Sequence, residues 1–179
     1  MPQASLDLDL PDSGITEALG AALARAFPGA GADARKGAVV YLRGELGSGK
    51  TTCVRSLLHG LGITATVRSP TYTLVDTYSI AGTDGPTLHC VHVDLYRLRG
   101  PAEVEELGLR DLTGSNYLML IEWPEQGGDA VPPADLDLQL RYAGESRVAS
   151  LRAVSELGER WLTKLGLDSS LVPYVSNLT

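Results

Sequence analysis

One segment constrains this chain more than any other, Gly44-Glu45-Leu46-Gly47-Ser48-Gly49-Lys50-Thr51-Thr52. It fits the phosphate-binding loop G-x-x-x-x-G-K-[ST] at Gly44, Gly49, Lys50 and Thr51, directly after the apolar run Ala38-Val39-Val40-Tyr41-Leu42, which reads as a buried strand. A helical pattern follows, with Val54, Leu57, Leu58 and Leu61 along it and Gly60 and Gly62 at its end. Strand, glycine-rich turn and helix is the context in which backbone N–H groups point at bound phosphates. The four fixed positions match by chance at roughly 4 in 100,000 sites. The expected nucleotide contacts are therefore Glu45, Leu46, Gly47, Ser48, Gly49, Lys50, Thr51 and Thr52, with Lys50 reaching the β- and γ-phosphates and the Thr51 hydroxyl ligating Mg²⁺.

Length allows one α/β domain with a real core, since the chain has 179 residues. Its 15 Lys and Arg against 22 Asp and Glu give a net charge of −7, which argues against the chain gripping nucleic acid by its own electrostatics. No apolar run approaches the roughly 18 to 20 residues that a membrane span needs, and Met-Pro-Gln-Ala lacks a basic n-region with an apolar h-region. A cytoplasmic location is expected, and Cys53 and Cys90 are expected to pack as small apolar side chains.

Either side of the loop, the pattern is that of alternating elements. Ser5 to Leu10 alternates with period two and reads as a strand ended by Pro11; Asp12 or Ser13 then caps a helix bearing Ile15, Leu19, Leu23 and Phe27 on one face. That helix serves packing, or lends Ser13 or Thr16 to a nucleotide base. Pro28 to Gly37 reads as a loop. Ser69-Pro70-Thr71-Tyr72-Thr73-Leu74-Val75 is a polar turn at a proline, either a rigid loop or a segment that responds to γ-phosphate and Mg²⁺. Leu74 to Ser79 and Thr87 to Val93 read as a hairpin around the turn Ala81 to Pro86. Pro101 to Gly108 is a short helix, Trp123 to Asp135 a loop, Leu136 to Tyr142 and Arg147 to Val154 two antiparallel strands, and Glu156 to Leu165 a last helix. Residues 1–165 are the expected domain and 166–179 a loosely packed C-terminal extension.

Two apolar strands end in acids, Asp94 after Thr87 to Val93 and Glu122 after Leu118 to Ile121. A nucleotide site needs one acid to hold Mg²⁺ or its waters and often a second to orient or deprotonate the attacking water, and the residue types do not assign which acid does which. His89, Cys90 and His92 supply too few ligands at the wrong spacing for a structural zinc site. Trp123 stacks on a base or partner, or fills the edge of the core. Asp111-Leu112-Thr113-Gly114 resembles a GTPase D-x-x-G string, yet neither Asn116 nor Asn177 lies in an N-K-x-D context.

Read in order and spacing, GELGSGKTT, SPTYTLV (Ser69 to Val75), HVDLYRL (His92 to Leu98), EELG (Glu105 to Gly108) and IEWPEQG (Ile121 to Gly127) resemble the bacterial TsaE family, formerly YjeE, over roughly residues 8–165. The resemblance implies a single-domain P-loop NTPase fold, an α/β architecture with a mixed parallel and antiparallel sheet flanked by helices. It implies an ATPase, with ATP and Mg²⁺ as ligands, required for threonylcarbamoyl modification of the adenosine next to the anticodon of tRNA. TsaB and TsaD are the implied partners, TsaD carries the transferase chemistry, and tRNA is met only through them. It further implies that Lys50 holds phosphates, that Thr51 and Glu122 ligate Mg²⁺, that Asp94 is the catalytic carboxylate, that Thr71 belongs to the switch, and that Arg147 contacts nucleotide. No arginine presents itself as an internal finger, so weak hydrolysis by the chain alone is expected. The competing readings are a small P-loop kinase, disfavoured because Trp123 to Asp135 contains no Arg or Lys, and a nucleotide-gated module that does not hydrolyse.

Overall fold

Along the chain the elements are strand β1 (Ser5–Leu10), helix α1 (Ser13–Ala26), β2 (Ala38–Arg43), α2 (Lys50–Gly60), β3 (Val75–Ile80), β4 (Leu88–Asp94), α3 (Pro101–Glu105), β5 (Tyr117–Glu122), β6 (Leu136–Ala143), β7 (Ser146–Ala153), α4 (Glu156–Gly166) and β8 (Val175–Leu178). This computed structural model describes residues 4–28, 37–82 and 86–179. The loop expected from Pro28 to Gly37 and the centre of the turn at Ala81 to Pro86 therefore lie largely outside the described residues.

The strands form one eight-stranded sheet in the order β3-β4-β5-β2-β6-β7-β1-β8. Its centre is parallel: β4, β5, β2 and β6 run the same way, while β3, β7, β1 and β8 add antiparallel margins. β2 and β5 read as nearly unbroken apolar runs because both of their faces are covered. Ala38, Val40, Leu42, Leu118 and Leu120 face α1, α2 and α4, together with Leu19, Leu23, Leu57, Leu58 and Trp161. Val39, Val91, Val93, Met119 and Ile121 face the other way, onto Val104, Leu109 and Val131 around α3. β1 and β6 alternate apolar with polar residues, and Leu6, Leu8, Leu10, Leu136, Leu138 and Leu140 all fall in the first of these layers. The single domain and mixed α/β sheet are those expected from the sequence.

Local chemistry starts α1 and α4 where the pattern predicts. Asp12 caps α1 by accepting from the Ile15 N–H at 3.0 Å, and Ser155 caps α4 by accepting from the Gly158 N–H at 3.1 Å. Trp161 on α4 is fully buried, donates its indole N–H to the Leu23 carbonyl at 3.0 Å and meets Phe27 with ring centroids 5.0 Å apart.

The tail departs from expectation. Instead of a loose extension, β8 pairs antiparallel with β1 and becomes the sheet's edge strand. Thr179 and Ser5 exchange both backbone hydrogen bonds, at 2.7 and 3.0 Å, and Leu171 is buried. The approach to β8 is fastened by Arg25 of α1, which donates two hydrogen bonds to the Asp168 carboxylate at 2.9 and 3.1 Å. Arg25 lowers the Asp168 carboxyl to about 2, with Ser170 adding two further bonds. A carboxyl held below its unfolded value stabilises the fold fully above about pH 4, and the contribution disappears as pH falls towards the folded value. Arg25 is half exposed, so solvent screening leaves about 1 kcal/mol. Asp168→Asn is therefore expected to lose about 1 kcal/mol in urea denaturation at pH 7, with the gap to the parent chain closing as pH falls from about 4 to about 2; a gap that is constant with pH would contradict the assignment.

Candidate nucleotide-binding site

Strand period two decides where the acids go. Asp94 pairs with Glu122 across β4 and β5, and Glu122 also lies beside Leu42 at the end of β2. Both acids have the parity of Cys90, His92, Leu118 and Leu120, so they leave their strands on the face that carries α2. The loop from β2 into α2 crosses the same C-terminal end of the sheet, where ligands bind in open parallel sheets.

The loop's shape rests on glycine. Gly44, Gly47 and Gly49 have φ of 139°, 77° and 108°, backbone that L side chains rarely adopt. A Cβ on Gly44 would also collide with the Leu140 carbonyl and sit 2.6 Å from the Ser48 hydroxyl. Gly49 is the N-cap residue of α2 and supplies no side-chain cap, so the N–H groups of the first turn face out from the helix start. Thr16 of α1 lies under this point, its Cγ2 3.2 Å from where a Gly49 Cβ would be.

Residues of α2, β4, β5 and the loops beside them close a cleft of about 440 Å³ over the loop. The Lys50 ammonium donates to the Gly44 and Glu45 carbonyls at 2.7 and 2.9 Å and stands 4.3 Å from the centre of the Trp123 ring. Burial lowers the pKa of Lys50 below the ordinary lysine value, and Glu122, Asp94 and Glu125 oppose that shift. The Thr51 hydroxyl donates to Glu122 at 2.9 and 3.2 Å, and Glu122 Oε1 also meets His92 Nε2 at 2.9 Å in a fully buried contact. Asp94 accepts from the Tyr96 N–H at 3.0 Å and from the Ser69 hydroxyl, which in turn bonds Thr71 at 2.8 Å. Trp123 adopts a left-handed φ of 58°, and Tyr96 braces it with ring centroids 4.9 Å apart.

Most of the residues singled out in the sequence meet here. Leu46, Gly47, Gly49, Lys50, Thr51, Thr52, Thr71, Asp94, Glu122 and Trp123 all line the cleft. Glu45 contributes its carbonyl to Lys50, while Ser48 is buried beneath Gly44. Arg147 stands on the rim, donating to the Gly47 carbonyl at 3.3 Å beside the Tyr142 ring, whose hydroxyl bonds the Leu46 carbonyl. Ser13 is exposed in the first turn of α1, and Thr16 packs under the loop, so neither lines the cleft. Leu112, Thr113 and Gly114 of the D-x-x-G string lie at the opposite end of the sheet, beside the start of β2. Burial pushes the Cys53 and Cys90 thiols up to about 12, which keeps them neutral.

Two residues of the cleft escaped sequence reasoning. Tyr96 and Arg97 line it, and the clue was only their proximity in sequence to Asp94; Ser69 lines it too, within the segment read as responsive to γ-phosphate. His92 was read as a packing residue, and its bond to Glu122 spans 30 positions of sequence.

Comparison with known proteins settles the family. The family model for the threonylcarbamoyl adenosine biosynthesis protein TsaE matches residues 10–150. The chain belongs to the TsaE family. The tRNA threonylcarbamoyladenosine biosynthesis protein TsaE of Haemophilus influenzae is 44% identical over 124 residues, which are 69% of this chain and 75% of that protein. The TsaE protein of Streptomyces coelicolor is 41% identical over 132 residues, 72% of this chain and 86% of its own length. The crystal structure of Bacillus subtilis YdiB superposes with a TM-score of 0.70 at 27% identity, covering 93% of this chain and 97% of that one. The TsaE match runs from β1's last residue to Ser150 within β7, so it takes in the whole cleft and leaves α4 and β8 outside.

The buried contact of His92 with Glu122 supports the carboxylate that Thr51 grips. His92→Ala leaves a cavity and removes a partner from a buried carboxyl group, and an unfolding free energy lower by about 3 kcal/mol is expected in urea titration. A loss below about 0.5 kcal/mol would show that the contact carries no weight.

Proposed function

We propose that this chain is a Mg²⁺-dependent ATPase of the cytoplasm that serves threonylcarbamoyladenosine modification of tRNA together with TsaB and TsaD, without being the transferase. The observation that carries the reading is the bond from the Thr51 hydroxyl to Glu122, with Asp94 set beside it at the mouth of the same glycine loop. The two curated relatives described above carry the tRNA-modification role in their names.

The residues fit the ligands. A loop of three left-handed glycines feeding an uncapped helix start suits triphosphate, with the Lys50 ammonium as a point charge beside it. The Thr51 hydroxyl and the carboxylates of Glu122 and Asp94 are hard oxygen donors of the kind Mg²⁺ takes. Among the described residues no three His, Cys, Asp or Glu side chains gather as a metal cage, which matches a cation that shares its ligands with phosphates and waters. Bound there through Thr51 and Glu122, Mg²⁺ would neutralise charge developing on the β- and γ-phosphates.

The remaining chemistry belongs to the chain. Lys50 leaves the Gly44 and Glu45 carbonyls for the β- and γ-phosphates, a short swing for a flexible ammonium. Asp94, already oriented by Ser69 and by the Tyr96 N–H, orients the attacking water and takes its proton. Thr71 reads the γ-phosphate through its bond to Ser69, so the segment Ser69 to Val75 reports which nucleotide is bound. Trp123 and Arg147 bound the space left for the base and ribose. The net charge of −7 leaves the grip on tRNA to the partner proteins. No helix among the described residues is long and apolar enough to cross a membrane.

The test is release of inorganic phosphate from ATP by the chain alone and with TsaB and TsaD. The partners are expected to raise the rate at least about tenfold, and Lys50→Ala and Glu122→Ala to remove at least about 99% of it, in line with losing groups that act on the transferred phosphoryl. An unchanged rate with the partners, together with normal threonylcarbamoyladenosine in a deletion strain, would refute the reading. Phosphate recovered on a small-molecule acceptor would mean a kinase instead.

A further inference from the structure

Arg97 lines the cleft that also holds Lys50, Thr51, Asp94 and Glu122, and it is the only arginine there among the described residues. An arginine within a cleft containing two carboxylates ordinarily pairs with one of them. This one does not: among the described residues it makes no ion pair and no hydrogen bond, and its guanidinium lies over the ring of Tyr72, 4.3 Å from the centroid. Tyr72 is 86% exposed, so the contact holds the arginine at the solvent edge of the cleft through a weak attraction to a ring that is itself barely covered.

The segment that carries Tyr72 is tied to Asp94 at both ends. Ser69 donates its hydroxyl to the Asp94 carboxylate, and the Asp94 N–H donates to the Leu74 carbonyl at 3.0 Å. Between these anchors the turn closes through the Leu74 N–H and the Pro70 carbonyl at 2.7 Å, with Leu74 at φ 66°. A leucine in left-handed backbone is strained, and such turns hold only while their surroundings fix them. Tyr72 thus sits at the tip of a strained turn, three residues from one anchor and two from the other.

We propose that Arg97 is the cleft's own phosphate-facing arginine, stored on the Tyr72 ring and delivered to the γ-phosphoryl group when that ring is drawn away. The proposal rests on the ATPase reading above. In the reaction the water oxygen bonds to the γ-phosphorus as the bond from phosphorus to the β,γ-bridging oxygen breaks. The electron pair of that bond leaves on ADP, and the water proton passes to Asp94. Arg97 forms no covalent bond; its N–H groups donate to the equatorial oxygens, where charge collects in the transition state. Storage on Tyr72 also supplies a physical reason for weak hydrolysis by the chain alone, because the arginine is withheld until a partner protein covers the exposed ring.

The test uses the full-length chain, its Arg97→Ala, Tyr72→Ala and double variants, ATP, ADP, Mg²⁺ and aluminium fluoride. ADP with aluminium fluoride mimics the phosphoryl group in flight, whereas ADP alone does not reach that position. Arg97→Ala is expected to bind ADP within about threefold of the parent chain but to lose at least about 100-fold in affinity for ADP with aluminium fluoride, and to lower partner-stimulated hydrolysis by about 10³-fold. Tyr72→Ala is expected to raise the partner-free rate severalfold, and the double variant to return to the Arg97→Ala rate. Equal binding of the fluoride complex by the parent and Arg97→Ala overturns the arginine's role. A partner-free rate that is unchanged or lower in Tyr72→Ala overturns the storage. A parent chain that hydrolyses no ATP even with TsaB and TsaD defeats the ATPase reading, a result separable from both.

Discussion

The hydrogen bond from the Thr51 hydroxyl to the Glu122 carboxylate joins the first turn of α2 to the last residue of β5, and the cleft takes its form from that junction. The glycine loop must turn through three left-handed residues to bring Thr51 there. β5 must end at Glu122, in register with Asp94 on β4, for the carboxylates to stand side by side. His92 then meets the same Oε1 of Glu122 from within the core, so a buried histidine inside a strand positions a group on the site's floor. Losing either bond takes from the buried Glu122 one of its two side-chain partners, which is costly in a low-dielectric interior.

Local pattern made the central architecture legible. Ala38 to Leu42 and Leu118 to Ile121 are unbroken apolar runs because both faces of the central strands are covered, and Ser5 to Leu10 alternates because only one face is. The glycine loop announced itself because its backbone conformation permits few other residues. β8 was not legible: four residues at an edge, paired on one side with a strand about 170 positions earlier, leave no period in the sequence. The Arg25 and Asp168 pair that fastens it spans 143 positions and is equally silent locally. Among site residues, the acids were visible as strand ends. Arg97 was not, because an exposed arginine after a strand resembles any solvated side chain until Tyr72 is seen beneath it. Ser13 and Thr16 were legible as the start of α1, but helix phase does not say how they stand to the cleft, which neither lines.

The site combines fixed and loosely held parts. Glu122, His92 and Lys50 are almost wholly buried, whereas Tyr72 is open to solvent and Tyr96 and Arg97 are exposed. Between the two groups stands Asp94, buried itself but bonded to Ser69 in the turn that carries Tyr72. On the proposed reading, a nucleotide-dependent change in that turn would alter the surface around Tyr72, and a protein that gripped the turn would alter Asp94 in return, as linkage requires.

The central claim is that Thr51 and Glu122 hold a cation jointly with the phosphates of a bound nucleotide, and calorimetric titration of ATP with and without Mg²⁺ tests it most directly. The account predicts that Mg²⁺ tightens ATP binding at least about tenfold, roughly 1.4 kcal/mol of coupling, and that Glu122→Gln abolishes this gain while leaving the Mg²⁺-free affinity within about threefold of the parent chain. Tight ATP binding that is indifferent to Mg²⁺, or a gain that survives in Glu122→Gln, would contradict it.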